Sequence, residues 1–271
     1  MRAIPDSFDP AVVVEIDRRL SAVEDQQEVA IPWAIESGSR AWGFPSPDSD
    51  YDCRFLYVRP ETHYLSPWLG RDVIETPLDE IFDVNGWDLR KALQLLVKGN
   101  AVVVEWLRSP YVYSGDERFR DEFLALADEV ADRAAVGRHY AHVALRQWER
   151  YGDEQEMSLK KLFYVLRPAA SVRWLERHPD SATPPMEITP LLVESGAPSD
   201  VLGLVEELIA LKAQTREMGV GVAPPRLLTY VEETLGIGET LFPQSGDTNV
   251  KARRAKAAEF FRHAVRAYAP G

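Results

Sequence analysis

The hydrophobic pattern of this chain changes its period near Trp87, and that change limits the architectures open to it. Upstream, the apolar runs Val29–Ile35 and Cys53–Val58 are short and flanked by Gly, Ser, Asp and Pro, as buried strands are. Downstream, Leu89, Ala92, Leu93, Leu96 and Val97 fall on one helical face, and helical periodicity dominates to the C-terminus. The expected class is α+β: a small mixed β-sheet domain over residues 1–113, then an all-helical domain over 114–271. With 271 residues and 45% hydrophobic content, the chain can bury a core as one large domain or a compact pair.

Local signals fill in this outline. Asp9-Pro10 reads as a capped helix start, leading into an amphipathic helix to about Val23. Pro32 places the first strand near a sheet edge or makes it a strand beginning. The segment from Ile74 to Val84, bounded by Gly70 and Gly86, has room for a third and a fourth short strand. Helices are expected over Val102–Leu107, Asp116–Asp132, Ala134–Tyr151, Ser158–Arg177, Asp200–Glu217, Pro224–Leu235 and Asp247–Tyr268. Pro168 should kink the fourth of these, and the Pro/Ser/Thr-rich stretch Pro179–Pro190 reads as a linker or surface loop.

Charge and cysteine usage remove some functions. A net charge of −12 argues against a protein that coats nucleic acid nonspecifically, because phosphate neutralisation needs a broad basic surface. Two helical stretches, Gly137–His178 and Lys251–Gly271, are nonetheless net basic, which leaves a local basic groove open. Cys53 is the lone cysteine, so no intrachain disulfide forms, and no Cys/His set has zinc spacing. No signal-peptide core and no apolar run near ~20 residues is present, so a soluble, cytoplasmic protein with no membrane partner is expected.

The chemistry concentrates between Ile35 and Val58. Gly38-Ser39 follows an apolar strand directly: glycine lets the backbone approach a phosphate, the Ser39 hydroxyl can donate to it, and Arg40 offers a charge-assisted contact. Asp50-Tyr51-Asp52 then leads into the next strand, where alternation points both carboxylates to one side. Adjacent carboxylates repel unless a cation lies between them, so Asp50 and Asp52 are candidate ligands for Mg²⁺ or Mn²⁺ in phosphoryl or nucleotidyl transfer. An ordinary Asp-rich surface turn is the bland reading of the same residues.

Gly-Ser, a spacer, and Asp-x-Asp on the following strand resemble the DNA polymerase β-like nucleotidyltransferases. The whole string Gly38–Val58 is similar to the RlaP-type members linked to bacterial RNA repair, as are Asn85–Lys91, Glu105–Pro110 and Phe163–Pro168. The resemblance implies transfer of a nucleoside monophosphate from an NTP to an acceptor hydroxyl, with an RNA end as the favoured acceptor. A small-molecule or protein acceptor and a noncatalytic nucleotide-binding module are the rivals. It also implies a third carboxylate from a neighbouring strand. Asp83, ending the strand-like Ile81–Val84, is favoured on geometry, and Asp88 is the alternative, well placed to cap a helix.

Lys160, Lys161, Tyr164 and Arg167 recur at helical spacing, and the reading is split between contact with a triphosphate or RNA strand and a solvated helix face. Arg54, following Asp52, is expected to point away from the metal site toward another acidic group. Trp42, inside the Gly-Ser loop, is the tryptophan to weigh for base stacking, and Arg253, Arg254 and Lys256 read as the outer face of a terminal helix. Oligomeric state is not legible.

Overall fold

Asp9 accepts a hydrogen bond from Ala11 N–H at 2.8 Å, and Pro10 occupies the first turn, so helix α1 (Pro10–Gln27) starts where its cap dictates. Its buried stripe, Val13, Ile16, Leu20 and Val23, packs on one face of a five-stranded sheet. The computed structural model describes residues 1–68, 70–77, 81–152, 157–214, 220–243 and 249–271. Parts of the expected strand segment 74–84 and of the expected helices Asp200–Glu217 and Asp247–Tyr268 lie outside the described residues.

The sheet strands are β1 (Ala30–Glu36), β2 (Tyr51–Val58), β3 (Val73–Glu75), β4 (Phe82–Asp88) and β5 (Val112–Gly115), in the order β3-β4-β2-β1-β5. Only the β2–β4 pairing is parallel, and the others are antiparallel, so the sheet is mixed as expected. Between β1 and β2 lies the four-residue helix α2 (Gly38–Ala41), and between β2 and β3 the equally short α3 (Glu61–Tyr64).

Two local expectations are corrected. β1 is an interior strand, flanked by β2 and β5, so Pro32 lies near the strand's beginning and not at a sheet edge, and the register shift between Ala30 and Trp33 accommodates its missing N–H. Gly86 does not bound a strand but lies inside β4, because a Cβ there would fall 2.1 Å from the Phe55 ring on β2.

The other sheet face is covered by α4 (Leu89–Val97), α5 (Val102–Leu107), α6 (Glu117–Val130) and the C-terminal α12 (Val250–Tyr268). The expected division near Tyr113 therefore falls within β5, and the last helix returns to pack with α4 and α6. Arg253 of α12 donates to the Val97 and Val130 carbonyls, locking this return to the ends of both helices.

The remaining helices, α7 (Arg133–Tyr151), α8 (Leu159–Arg177), α9 (Ile188–Glu194), α10 (Ser199–Gln214) and α11 (Pro225–Leu241), build a second core. A two-stranded ribbon of β6 (Met157–Ser158) and β7 (Val220–Gly221) lies beside it. Helix α8 runs on through Pro168, α9 begins inside the stretch read as a loop, and α11 continues past Leu235. Gly238 explains that continuation: it meets α7 so closely that a Cβ would lie 3.1 Å from Ala141.

Between the halves sits a buried polar cluster. Arg167 of α8, 6% exposed, pairs with Glu105 of α5 at 3.0 Å and donates to the Met186 carbonyl at 2.9 Å, while the Tyr140 hydroxyl donates to Glu105 at 2.6 Å. Glu105→Ala should leave Arg167 as an uncompensated buried charge and destabilise the protein by about 3–5 kcal/mol, read as a lower urea midpoint.

Candidate active site

The site forms where β1 ends, α2 turns and β2 and β4 begin. Parallel pairing sets Asp52 directly opposite Asp83 in register, so the two carboxylates share one edge of the sheet. Asp50 stands exposed just before β2. Asp88, five pairs further along the same ladder opposite Tyr57, is buried at the far end of β4. There it caps α4 by accepting from Arg90 N–H at 2.8 Å and accepts the Tyr64 hydroxyl at 3.3 Å.

Arg54 holds the Asp52/Asp83 pair together. Its guanidinium donates to Asp52 Oδ1 at 3.0 Å, to Asp83 Oδ2 at 2.6 Å and to the Asp83 carbonyl at 2.6 Å. The expectation that Arg54 points away is thus overturned: residues two apart on a strand share a face, so Arg54 follows Asp52. Asp83 also accepts from the Asn85 amide. Burial pushes the Asp52 carboxyl above its ordinary value; Arg54 opposes the rise, and Asp50 and Asp83 add to it.

Beneath the pair lies Glu36, which sequence reading did not single out. This last residue of β1 is fully buried, accepts from Asp52 N–H at 3.1 Å and from the Tyr113 hydroxyl at 2.5 Å, and is pushed up to about 8, mainly by burial. A protonated Glu36 spares the site one more negative charge. The available signal was a carboxylate closing an otherwise apolar strand.

The Gly38-Ser39 turn presses against the same carboxylate. Gly38 has φ +59°, and a Cβ there would fall 1.8 Å from Asp52 Oδ2, so only glycine fits. Ser39, buried, donates to Ser49 Oγ at 3.0 Å, tying the turn to the loop that carries Asp50. Arg40 is engaged within the protein: it donates to the Ser49 and Asp50 carbonyls at 2.6 and 3.2 Å, and its guanidinium lies 3.9 Å from the Tyr51 ring centroid.

From the helical half, α8 brings Lys160, which is exposed, and Tyr164 toward the carboxylates. Burial first, then Asp52 and Asp50, push the Tyr164 phenol up to about 12, so it stays a hydrogen-bond donor. Lys161 lies instead over the Tyr151 ring, and Arg167 is turned into the interdomain cluster, 4.8 Å from the Trp42 ring centroid. Trp42 packs edge-on to Tyr164 and beside Phe44. Lys212 of α10, also missed by sequence reading, lies over the Phe44 ring and within electrostatic range of Asp48 and Asp50.

Two consequences are measurable. Gly38→Ala must displace the Asp52 carboxylate and strain the backbone, so its thermal midpoint should fall by an amount equivalent to roughly 1–3 kcal/mol. Gly203→Ala on α10, where a Cβ meets nothing within 4 Å, should show no loss. For Glu36, the folded state holds a proton that the unfolded state releases, so its contribution weakens as pH rises from the ordinary carboxylate range, about 4.5, to about 8. Glu36→Gln can still accept from Asp52 N–H and would donate its amide to the Tyr113 oxygen, and it should flatten this fall in stability, as followed by denaturation across that window.

Residues 12–263 match the RlaP family, described as the RNA repair pathway DNA polymerase beta family. The chain is 41% identical over 199 residues to the uncharacterized protein YcgL of Bacillus subtilis strain 168, covering 73% of this chain and 76% of that one. A structural match is the crystal structure of a nucleotidyltransferase-like protein from Exiguobacterium sibiricum 255-15, at TM-score 0.31 and 11% identity, covering 93% of this chain and 80% of that one. Among the described residues no helix is long and apolar enough to cross a membrane. The chain belongs to the RlaP family and is a nucleotidyltransferase-type enzyme.

Proposed function

We propose that this enzyme catalyses metal-dependent transfer of a nucleoside monophosphate from an NTP to an acceptor hydroxyl, with an RNA end as the acceptor. The observation that carries the reading is the in-register Asp52/Asp83 pair, with Asp50 beside it and the Gly38 backbone against the Asp52 carboxylate. Among the described residues no three His, Cys, Asp or Glu groups already converge as a metal-binding set. The donor set nonetheless suits a hard divalent cation, since Asp52 and Asp83 are arranged around a positive charge that Arg54 now supplies. Asp50, Asp52 and Asp83 would hold Mg²⁺ or Mn²⁺, with Arg54 yielding its place between them. When bound, the ion supplies Lewis-acid polarisation and neutralises charge developing at the reacting phosphate.

The reaction forms a bond between the acceptor oxygen and the α-phosphorus and breaks the bond to the bridging oxygen of the β-phosphate. Pyrophosphate leaves and the hydroxyl proton passes to water. Little covalent work falls to the protein, so its task is positioning and electrostatics. Gly38 leaves room beside Asp52, Tyr164 donates a hydrogen bond toward the substrate, and Lys160 adds positive charge on the open side. Asp88, spent on capping α4, is left out of this set.

The net charge of −12 favours one rival class, a small-molecule or protein hydroxyl. Each NTP, labelled at the α-phosphate, should be incubated with Mg²⁺ or Mn²⁺ and a panel of RNA ends, small hydroxyl compounds and the protein alone. Label should move to an RNA end, and Asp52→Asn should lower the rate roughly 100-fold or more. Transfer at the wild-type rate by Asp50→Ala/Asp52→Ala would overturn the mechanism, and label only on a small molecule or on the protein would replace the acceptor.

A further inference from the structure

Lys212 as a whole is 2% exposed, its ammonium keeps slight contact with solvent, and no carboxylate or hydrogen-bond acceptor among the described residues meets it. Lysine is rarely buried without a partner, because removing its charge from water is costly. What the ammonium does touch is the face of Phe44, 4.7 Å from the ring centroid, and a cation–π contact with one phenyl ring offsets only part of that cost. Burial pushes Lys212 down to about 8, Lys160 adds to the fall, and Asp48 and Asp50 oppose it.

The location gives this unpartnered cation its meaning. Phe44 closes the segment that begins at Gly38-Ser39, and the same loop runs on through Asp48 to Asp50. Lys160 lies within electrostatic range of both Lys212 and Asp52, and Tyr164 of Asp50 and Asp52, so these groups are neighbours. The sheet half brings carboxylates to this neighbourhood, and the helical half brings two ammonium groups that repel each other. Such a pair is complementary to a polyanion, whose oxygens would give each lysine charge-assisted hydrogen bonds.

We propose that Lys212, together with Lys160, binds the phosphate chain of the NTP, so that α10 and α8 of the helical half hold the leaving pyrophosphate while the sheet half holds the reacting phosphate. This assignment deepens the nucleotidyl-transfer reading and rests on it. Lys212 is buried in the free protein at a cost in stability, and phosphate binding recovers that cost.

The test compares the full-length wild type with Lys212→Met, which keeps the length and the apolar contact on Phe44, and with Lys212→Arg. Each is titrated with ATP, GTP, CTP and UTP in the presence of Mg²⁺, and the thermal midpoint of each free protein is recorded. Lys212→Met should bind the preferred NTP at least tenfold more weakly while its own midpoint is unchanged or raised, and Lys212→Arg should retain most of the affinity. Undiminished NTP affinity in Lys212→Met would overturn the assignment. So would a lowered midpoint in Lys212→Met with no affinity recovered in Lys212→Arg, since that pattern marks a packing role. A wild type that binds none of the four nucleotides would instead remove the nucleotidyl-transfer reading, and this assignment with it.

Discussion

The parallel pairing of β2 with β4 is the constraint on which the site depends. Antiparallel neighbours are joined by short turns, but parallel ones need a crossover, and here the chain from Arg59 to Ile81 makes it through α3 and β3. Only that crossover brings Asp83 level with Asp52. A register slip of one residue would turn Asp83 to the opposite face, and the pair would be lost. Gly86 secures the register, because the Phe55 ring lies directly against its backbone.

Crowded carboxylates need relief, and the fold supplies it in two ways. Arg54 brings a cation between Asp52 and Asp83, and burial keeps the proton on Glu36. The two devices differ in kind. Arg54 is a side chain that reaches the pair from the edge of the sheet, and under the proposed reading a metal ion would take its place, whereas Glu36 is fixed by Tyr113 and the Asp52 amide inside the sheet.

Much of this was legible in the sequence, because strand periodicity, glycine and capping signals are local. The Asp50-Tyr51-Asp52 string announced its strand, Asp88 its cap, and Val102–Leu107 its helix to the residue. Arg54 was legible too, since simple alternation sets it on the face of Asp52, but adjacency to the dyad was mistaken for opposition. Glu36, Lys212 and Arg167 were hidden for a different reason: charged residues at helix or strand positions read as solvent-facing unless the tertiary partner is known. Pro32 marked the strand's beginning correctly but misled as to the sheet edge, because a register shift lets an interior strand tolerate it, and Pro179–Pro190 misled because composition does not reveal where α9 begins.

The segment after Gly38 ties the two halves in an asymmetric way. Phe44 is fully buried among helical-domain side chains and stacks on Phe163 with centroids 4.5 Å apart, and Ile188 N–H donates to the Trp42 carbonyl at 2.9 Å. The glycine turn thus hangs from the helical half, while Asp52 and Asp83 belong to the sheet. Any relative displacement of the halves would act as a lever on the glycine turn, and on Asp50 tied to it, while leaving Asp52 and Asp83 fixed in the sheet.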